Sequence, residues 1–180
     1  MERSGMELVR DIIETPIGTN GGQYIKIVYE IYIISTGREG KIMRLSINEI
    51  LAKANMIENA EARIQFIKSN DSAALQTILK YCYDPNIKWM LPKGPAPYKK
   101  SDFVEAHGML YSVVRKLYLF IEGGNPNLTK MKREQLFINL LESIDKDDAE
   151  LLVSIKDKKM PYKLITRKFV EKVYPGLINE

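Results

Sequence analysis

The stretch Leu117 to Asn127, Leu-Tyr-Leu-Phe-Ile-Glu-Gly-Gly-Asn-Pro-Asn, sets a corner that the rest of this 180-residue chain has to accommodate. Its first half is apolar and reads as the end of a long helix. Gly123-Gly124 stops that helix, because glycine enters the left-handed conformation at a helix end without a Cβ penalty. A second helix then opens at Thr129-Lys130-Met131-Lys132-Arg133-Glu134. From Ser46 onward the spacing of apolar residues is helical throughout. The expectation is an all-α, compact multi-helix domain of about six to seven helices packed around this corner.

Residues 1–42 have a different texture and are set apart from a helical domain spanning 43–180. Tyr24 to Ile34 is rich in β-branched and aromatic residues and reads as a strand, bounded by Ser35-Thr36-Gly37. One strand cannot satisfy its own edges. Met43 would also serve as a start, and the compositional break falls there. The segment is therefore either a strand or hairpin appendage or an extension with no selected fold.

The helices can be read from their caps. Ser46-Ile47-Asn48-Glu49 is a capping box, followed by Ile47, Ile50 and Leu51. A second helix is expected from Ile57 to Lys68 on the face Ala60, Ile64, Ile67. Asn70-Asp71 is expected to cap a third, with Ala74, Leu75, Ile78, Leu79 and Cys82 inward. Pro85, Pro92, Pro95 and Pro97 then impose a loop from Tyr83 to Lys100. Ser101 or Asp102 is expected to cap a fourth helix through Val113, Val114, Leu117 and Phe120 to Ile121. The fifth starts near Thr129 and presents Met131, Leu136, Ile138, Leu140 and Leu141. Asp145 caps the sixth, with Asp147, Asp148 and Glu150 in its first turn, where carboxylates suit the helix dipole. A last short helix runs from about Thr166 to Val173.

Little in the chain points to a reaction. With one histidine, His107, and one cysteine, Cys82, a zinc site would need mostly carboxylate ligands, which is unusual, and one histidine supports no Cys-His or Ser-His-Asp arrangement. Helix capping accounts for Asp145, Asp147 and Asp148 without a metal. Gly37-Arg38-Glu39-Gly40-Lys41 fails as a phosphate loop, because its glycines are too close and no Ser or Thr follows Lys41. Gly18, Gly21 and Gly22 fail the dinucleotide pattern. No catalytic residue, cofactor or metal is expected. A single cysteine excludes an intrachain disulfide, and no secretory leader or membrane-length apolar run is visible, so the expected location is cytoplasmic.

The charge is more informative. Formal net charge is +4 and the pI about 9.0, which favours attraction to polyanions. Lys158, Lys159, Lys163, Arg167 and Lys168 cluster near the C-terminus, opposed only by Asp157 and Glu171. Lys130, Lys132 and Arg133 open the fifth helix. Cations at a helix N-terminus are mildly unfavourable, by on the order of 0.3–1 kcal/mol each. A phosphate there would relieve the repulsion and meet free N–H groups. The Pro-rich loop, with Lys88, Trp89, Lys93 and Tyr98, is a second candidate surface for stacking or backbone contact.

Two resemblances bear on this. The runs Asp84-Pro85-Asn86-Ile87-Lys88-Trp89-Met90-Leu91-Pro92, Lys116 to Leu128 and Lys132-Arg133-Glu134 resemble an uncharacterised family of small helical proteins from T4-like tailed phages. That resemblance covers Met43 to the C-terminus and implies a phage origin, hence the cytoplasm of an infected host, but no activity. A more distant similarity is to the N-terminal DNA-binding domain of ATP-dependent DNA ligases. It is carried by Ile87-Lys88-Trp89, Asp148-Ala149-Glu150-Leu151-Leu152 and Lys172-Val173-Tyr174-Pro175-Gly176-Leu177-Ile178. In those ligases the domain grips duplex DNA through the backbone and minor groove. The ligase Lys-x-Asp-Gly motif is absent, so no adenylation is implied. Met160-Pro161-Tyr162-Lys163-Leu164 stands where those ligases have a glycine-containing turn, which favours general phosphate binding over a nick-specific grip. The expected function is a non-catalytic phage accessory protein that binds the DNA backbone. The alternative is a module that docks on a phage or host replication or transcription protein through the Pro/aromatic loop and the apolar tail Leu177-Ile178.

Overall fold

The computed structural model describes residues 44–101 and 106–179. The strand expected at Tyr24 to Ile34 and the cap at Asp102 lie outside the described residues. Among those described there are seven α-helices and one 3₁₀ helix. They are α1 (Ile47–Met56), α2 (Ala60–Ser69), α3 (Ala73–Tyr83), α4 (Leu110–Val113), the 3₁₀ helix (Val114–Phe120), α5 (Lys130–Glu142), α6 (Lys146–Lys156) and α7 (Arg167–Val173). No described helix is long and apolar enough to cross a membrane. The all-α expectation is met.

The middle of the bundle is α6, which packs against α1, α3 and α5. Its stripe Leu151, Leu152 and Ile155 is buried with Ala149. Around it close Ile47, Ile50 and Leu51 of α1, Leu75, Ile78 and Leu79 of α3, and Leu140 and Leu141 of α5. Fully burying a side chain of this size contributes about 1.5–3 kcal/mol, so these facing stripes are what assembles the helices. The outer helix α7 packs on α2, inserting Phe169, Val170 and Val173 into the same core.

Local sequence sets the helix ends. The Ser46 capping box forms as expected: the Ser46 Oγ accepts from the Glu49 N–H at 3.2 Å, and Glu49 Oε2 accepts from the Ser46 N–H at 2.7 Å. Ser72 caps α3, one residue beyond the expected Asn70-Asp71, by accepting from the Leu75 N–H at 3.1 Å. The start of α2 also moves. Asn59 Oδ1 accepts from the Ala62 N–H at 3.0 Å, so Ile57 ends α1 rather than opening α2. The buried face of α2 is accordingly Arg63, Phe66 and Ile67, while Ala60 is exposed and Ile64 half-buried.

The segment leading into the corner differs most from expectation. A long α-helix was expected up to Ile121. Instead, Gly108 has φ +72°, one α-turn follows at α4, and the chain then tightens into the 3₁₀ helix. Its buried residues are Val114, Leu117 and Phe120, spaced by three. Three residues per turn stacks these side chains in one line. The same residues fit one side of an α-helix, which is why spacing alone misreads them. The Gly-Gly stop is confirmed in detail. Gly123 has φ +78°, and a Cβ on Gly124 would lie 1.7 Å from the Tyr118 carbonyl oxygen.

The Pro-rich loop is held at both ends. Trp89 pairs with Ile121 of the corner in an isolated antiparallel bridge, with the Met90 N–H donating to the Phe120 carbonyl at 2.7 Å and the Glu122 N–H to that of Lys88 at 2.8 Å. Further along, Lys156 Nζ donates to the carbonyls of Pro92 at 2.9 Å and Gly94 at 2.6 Å. The Gly94 N–H reaches Asp157 Oδ2 at 2.9 Å.

Candidate nucleic-acid interface

The basic residues fall into two groups once their ends are placed. The first group is turned inward. Arg133 lies on the buried stripe Arg133, Phe137, Leu140, Leu141 of α5 and is 6% exposed. Its guanidinium donates to the carbonyls of Leu119 (3.1 Å), Asn125 (3.3 Å) and Leu128 (3.1 Å). It therefore braces the corner and is withdrawn from the expected phosphate contacts. The same register of α5 turns Met131 outward, 83% exposed, where an inward methionine was expected.

Lys158 is exposed as a residue, but its ammonium is engaged. It occupies the left-handed region at φ +59°, and its Nζ donates to the carbonyls of Tyr81 at 2.7 Å and Asp84 at 2.8 Å. The ammonium thus caps the open C-terminal end of α3. Burial lowers its pKa, while Cys82 and Asp84 act in the opposite sense. Cys82 sits buried below, and burial pushes its thiol up to about 12, well away from a reactive thiolate.

The second group faces water. Lys159, Lys163, Lys168 and Lys172 are exposed along the turn and α7, and Lys130 and Lys132 are exposed in the first turn of α5. Thr129 and Thr166 cap these two helices, accepting from the N–H groups of Lys132 (3.4 Å) and Phe169 (3.2 Å). Neither helix has an acidic residue in its first turn. Arg167 is shared with Glu171 at 2.7 Å. Lys159 lies near Asp157; burial raises that carboxyl, but the Lys156 and Gly94 hydrogen bonds and the charges of Lys156 and Lys159 outweigh it and hold it below the usual range. Because α7 packs on α2 while α5 packs on α6 and the 3₁₀ helix, the two basic segments are carried by different parts of the bundle.

The loop candidates are mostly anchors. Trp89 is half-buried, edge-on to Tyr81 with ring centroids 5.8 Å apart, and its Nε1 donates to the Tyr81 carbonyl at 3.4 Å. Tyr98 is half-buried against the core, and burial, helped by Glu150, raises its hydroxyl pKa against the opposing Lys100. Lys88 is exposed but paired with Glu122 at 3.3 Å. Lys93 is exposed. The apolar tail is also spent: Ile178 is buried, and Asn179 Nδ2 donates to the buried Asp84 at 3.1 Å.

Sequence reading missed the inward charges at Arg63, Asp148 and Lys156. Arg63 donates to the carbonyls of Ile57 (2.9 Å from Nε) and Glu58 (3.0 Å) and stands over Phe169, 5.4 Å from its ring centroid. Each such residue occupies a stripe position, as Asp148 does before Leu151, Leu152 and Ile155. A charge inside an apolar stripe was the available signal.

Fold and surface together define a small helical bundle whose buried cations brace main-chain carbonyls and whose exposed lysines carry the external charge. The chain belongs to a family of unknown function, DUF6433, whose model matches residues 50–162, more than half of its length. The match spans the Pro-rich loop, the corner and α6, and ends before Arg167. No curated protein matches the chain.

Proposed function

We propose that this protein is a non-catalytic accessory protein, of phage origin, that binds the DNA backbone through Lys159, Lys163 and Lys168, with Lys172, Lys130 and Lys132 in support. The observation that carries the reading is the sorting of the basic residues. Arg63, Arg133 and Lys156 are satisfied inside, the ammonium of the exposed Lys158 is taken up by two main-chain carbonyls, and no carboxylate pairs with Lys163, Lys168, Lys172, Lys130 or Lys132 among the described residues. The resemblance to the ligase DNA-binding domain supports the same reading, and host cytoplasm during infection is the compartment it implies. Backbone contact is sequence-tolerant and salt-sensitive, losing affinity with a log–log slope of about 0.9 per phosphate neutralised. The test is a mobility-shift titration on intact, nicked and single-stranded DNA at low salt. Binding to at least one, weakened by replacing Lys159, Lys163 and Lys168 with alanine, is expected; binding to none ends the reading.

A second reading, a module that docks on a phage or host replication or transcription protein, now rests on different residues. The aromatic loop and tail that motivated it are packed inward, and what remains for a partner's apolar side chains is Met131 and Met56, 83% and 79% exposed. Recovery of a polymerase, clamp or ligase after nuclease treatment would favour it.

A further inference from the structure

Asp148 is the one carboxyl in the described chain whose burial is complete but whose hydrogen bonding is not. It is 0% exposed. Its Oδ1 accepts from the Asn48 N–H of α1 at 2.8 Å, a contact across 100 residues of sequence. Its Oδ2 is buried with no hydrogen-bond partner. In the first turn of its own helix the capping position is already filled by Asp145, which accepts from the Asp147 N–H at 2.9 Å. Asp148 stands in the first turn of α6, as sequence suggests, but its carboxyl is turned onto α1. It is an interhelical cap on the first turn of α1, held in the core with one oxygen unsatisfied.

We propose that the joint between α1 and α6 is a proton-linked latch. While the buried Asp148 carboxyl carries a proton, the closed joint holds no buried charge; when it ionises, the Asn48 N–H bonds it more strongly, but keeping the charge out of water costs more than that bond returns, and the joint loosens. A buried charge with an unpartnered oxygen is costly. Any local opening that returns the carboxylate to water therefore becomes more populated once the proton leaves.

The groups around the latch set where it operates. On α6, Asp145 disfavours ionisation, and from the segment before α4 His107 favours it. Burial is the largest influence and raises the carboxyl to about 6 from 3.8, against the Asn48 N–H and the neighbouring Ser46 side chain, which favour the ionised form. His107 Nε2 itself lies 3.6 Å from Glu49 Oε2 of α1. Tyr111 of α4, with Arg44 stacked over its ring at 3.9 Å, donates to the Leu45 carbonyl at 2.9 Å. Tyr162 donates to Asn48 Oδ1 at 2.6 Å. The charged groups of the other neighbouring helices are held elsewhere: Arg63 of α2 at Ile57, Asp84 beyond α3 at Asn86 and Asn179, and Glu142 of α5 at the Lys99 N–H. The cluster is therefore small, and Asp148 is its only fully buried acid.

The test uses the full chain. The Asn48 amide resonance, followed by NMR between about pH 4.5 and 8, should titrate with a midpoint near 6 in the wild type and lose that titration in Asp148→Asn. Hydrogen exchange in the first turn of α1, corrected for intrinsic rates, should show opening that rises about tenfold from about pH 5 to 7.5 in the wild type and not in Asp148→Asn. Asp145→Asn keeps a capping oxygen at the start of α6 while removing the charge that disfavours ionisation, so it should move the midpoint downward, and it serves if Asp148→Asn does not fold. A midpoint near 4, equal pH responses in wild type and Asp148→Asn, or a midpoint not lowered in Asp145→Asn would overturn the latch.

Discussion

Arg63, Arg133, Lys156 and Lys158 all point their charge at main-chain carbonyls that helix ends and loops leave open. Hydrogen bonds with a charged donor are stronger than neutral ones, and losing one side leaves the buried partner unsatisfied. Lys156 is the sharpest case, because it also pairs with Asp157 at 2.7 Å with its side chain 3% exposed. Lys156→Met should therefore cost roughly 3 kcal/mol in chemical denaturation. Lys163→Ala, a surface change, should stay within about 0.5 kcal/mol; equal costs would show that the two lysines are not differently employed. Asp148 has the opposite character. Its folded pKa, about 6, lies above the ordinary 3.8. Its contribution to stability is thus fully present below about 3.8 and is lost as pH rises through about 6. Thermal unfolding of Asp148→Asn beside the wild type should show the difference, on the order of 2 kcal/mol between about pH 4 and 8, in favour of the variant at the alkaline end.

At the scale of elements, the corner depends on two glycines for different reasons. Gly123 needs only its left-handed φ, so Gly123→Ala should cost about 1 kcal/mol. Gly124 has no room for a Cβ against the Tyr118 carbonyl. Gly124→Ala must displace backbone and should lower the melting temperature more than Gly123→Ala does; the reverse order would contradict this geometry. Stripes at three- and four-residue spacing made α3 and α6 readable from sequence, and the Ser46 capping box and Asp145 marked two helix starts. The 3₁₀ helix was not readable, since Val114, Leu117 and Phe120 satisfy either helical period. The start of α2 was misread because an asparagine cap at Asn59 competes with the apolar residue at Ile57, and geometry decides between them.

For the whole molecule, the fold class followed from apolar spacing, but the site did not follow from charge counting. A run such as Lys158-Lys159 gives no sign that one lysine reaches back to α3 while its neighbour stays in water. That outcome depends on a left-handed residue at the end of α6 meeting the end of α3, a contact between elements more than 70 residues apart. The division into internal braces and external lysines is the central claim. It is tested most directly by measuring duplex DNA affinity against salt for the wild type and for the variant with Lys159, Lys163 and Lys168 all changed to alanine. The variant should fold with unchanged stability, bind more weakly and show a log–log salt slope shallower by up to about 2.7, or about 0.9 for each phosphate that the variant no longer neutralises. An unchanged affinity and slope in a folded variant would contradict it.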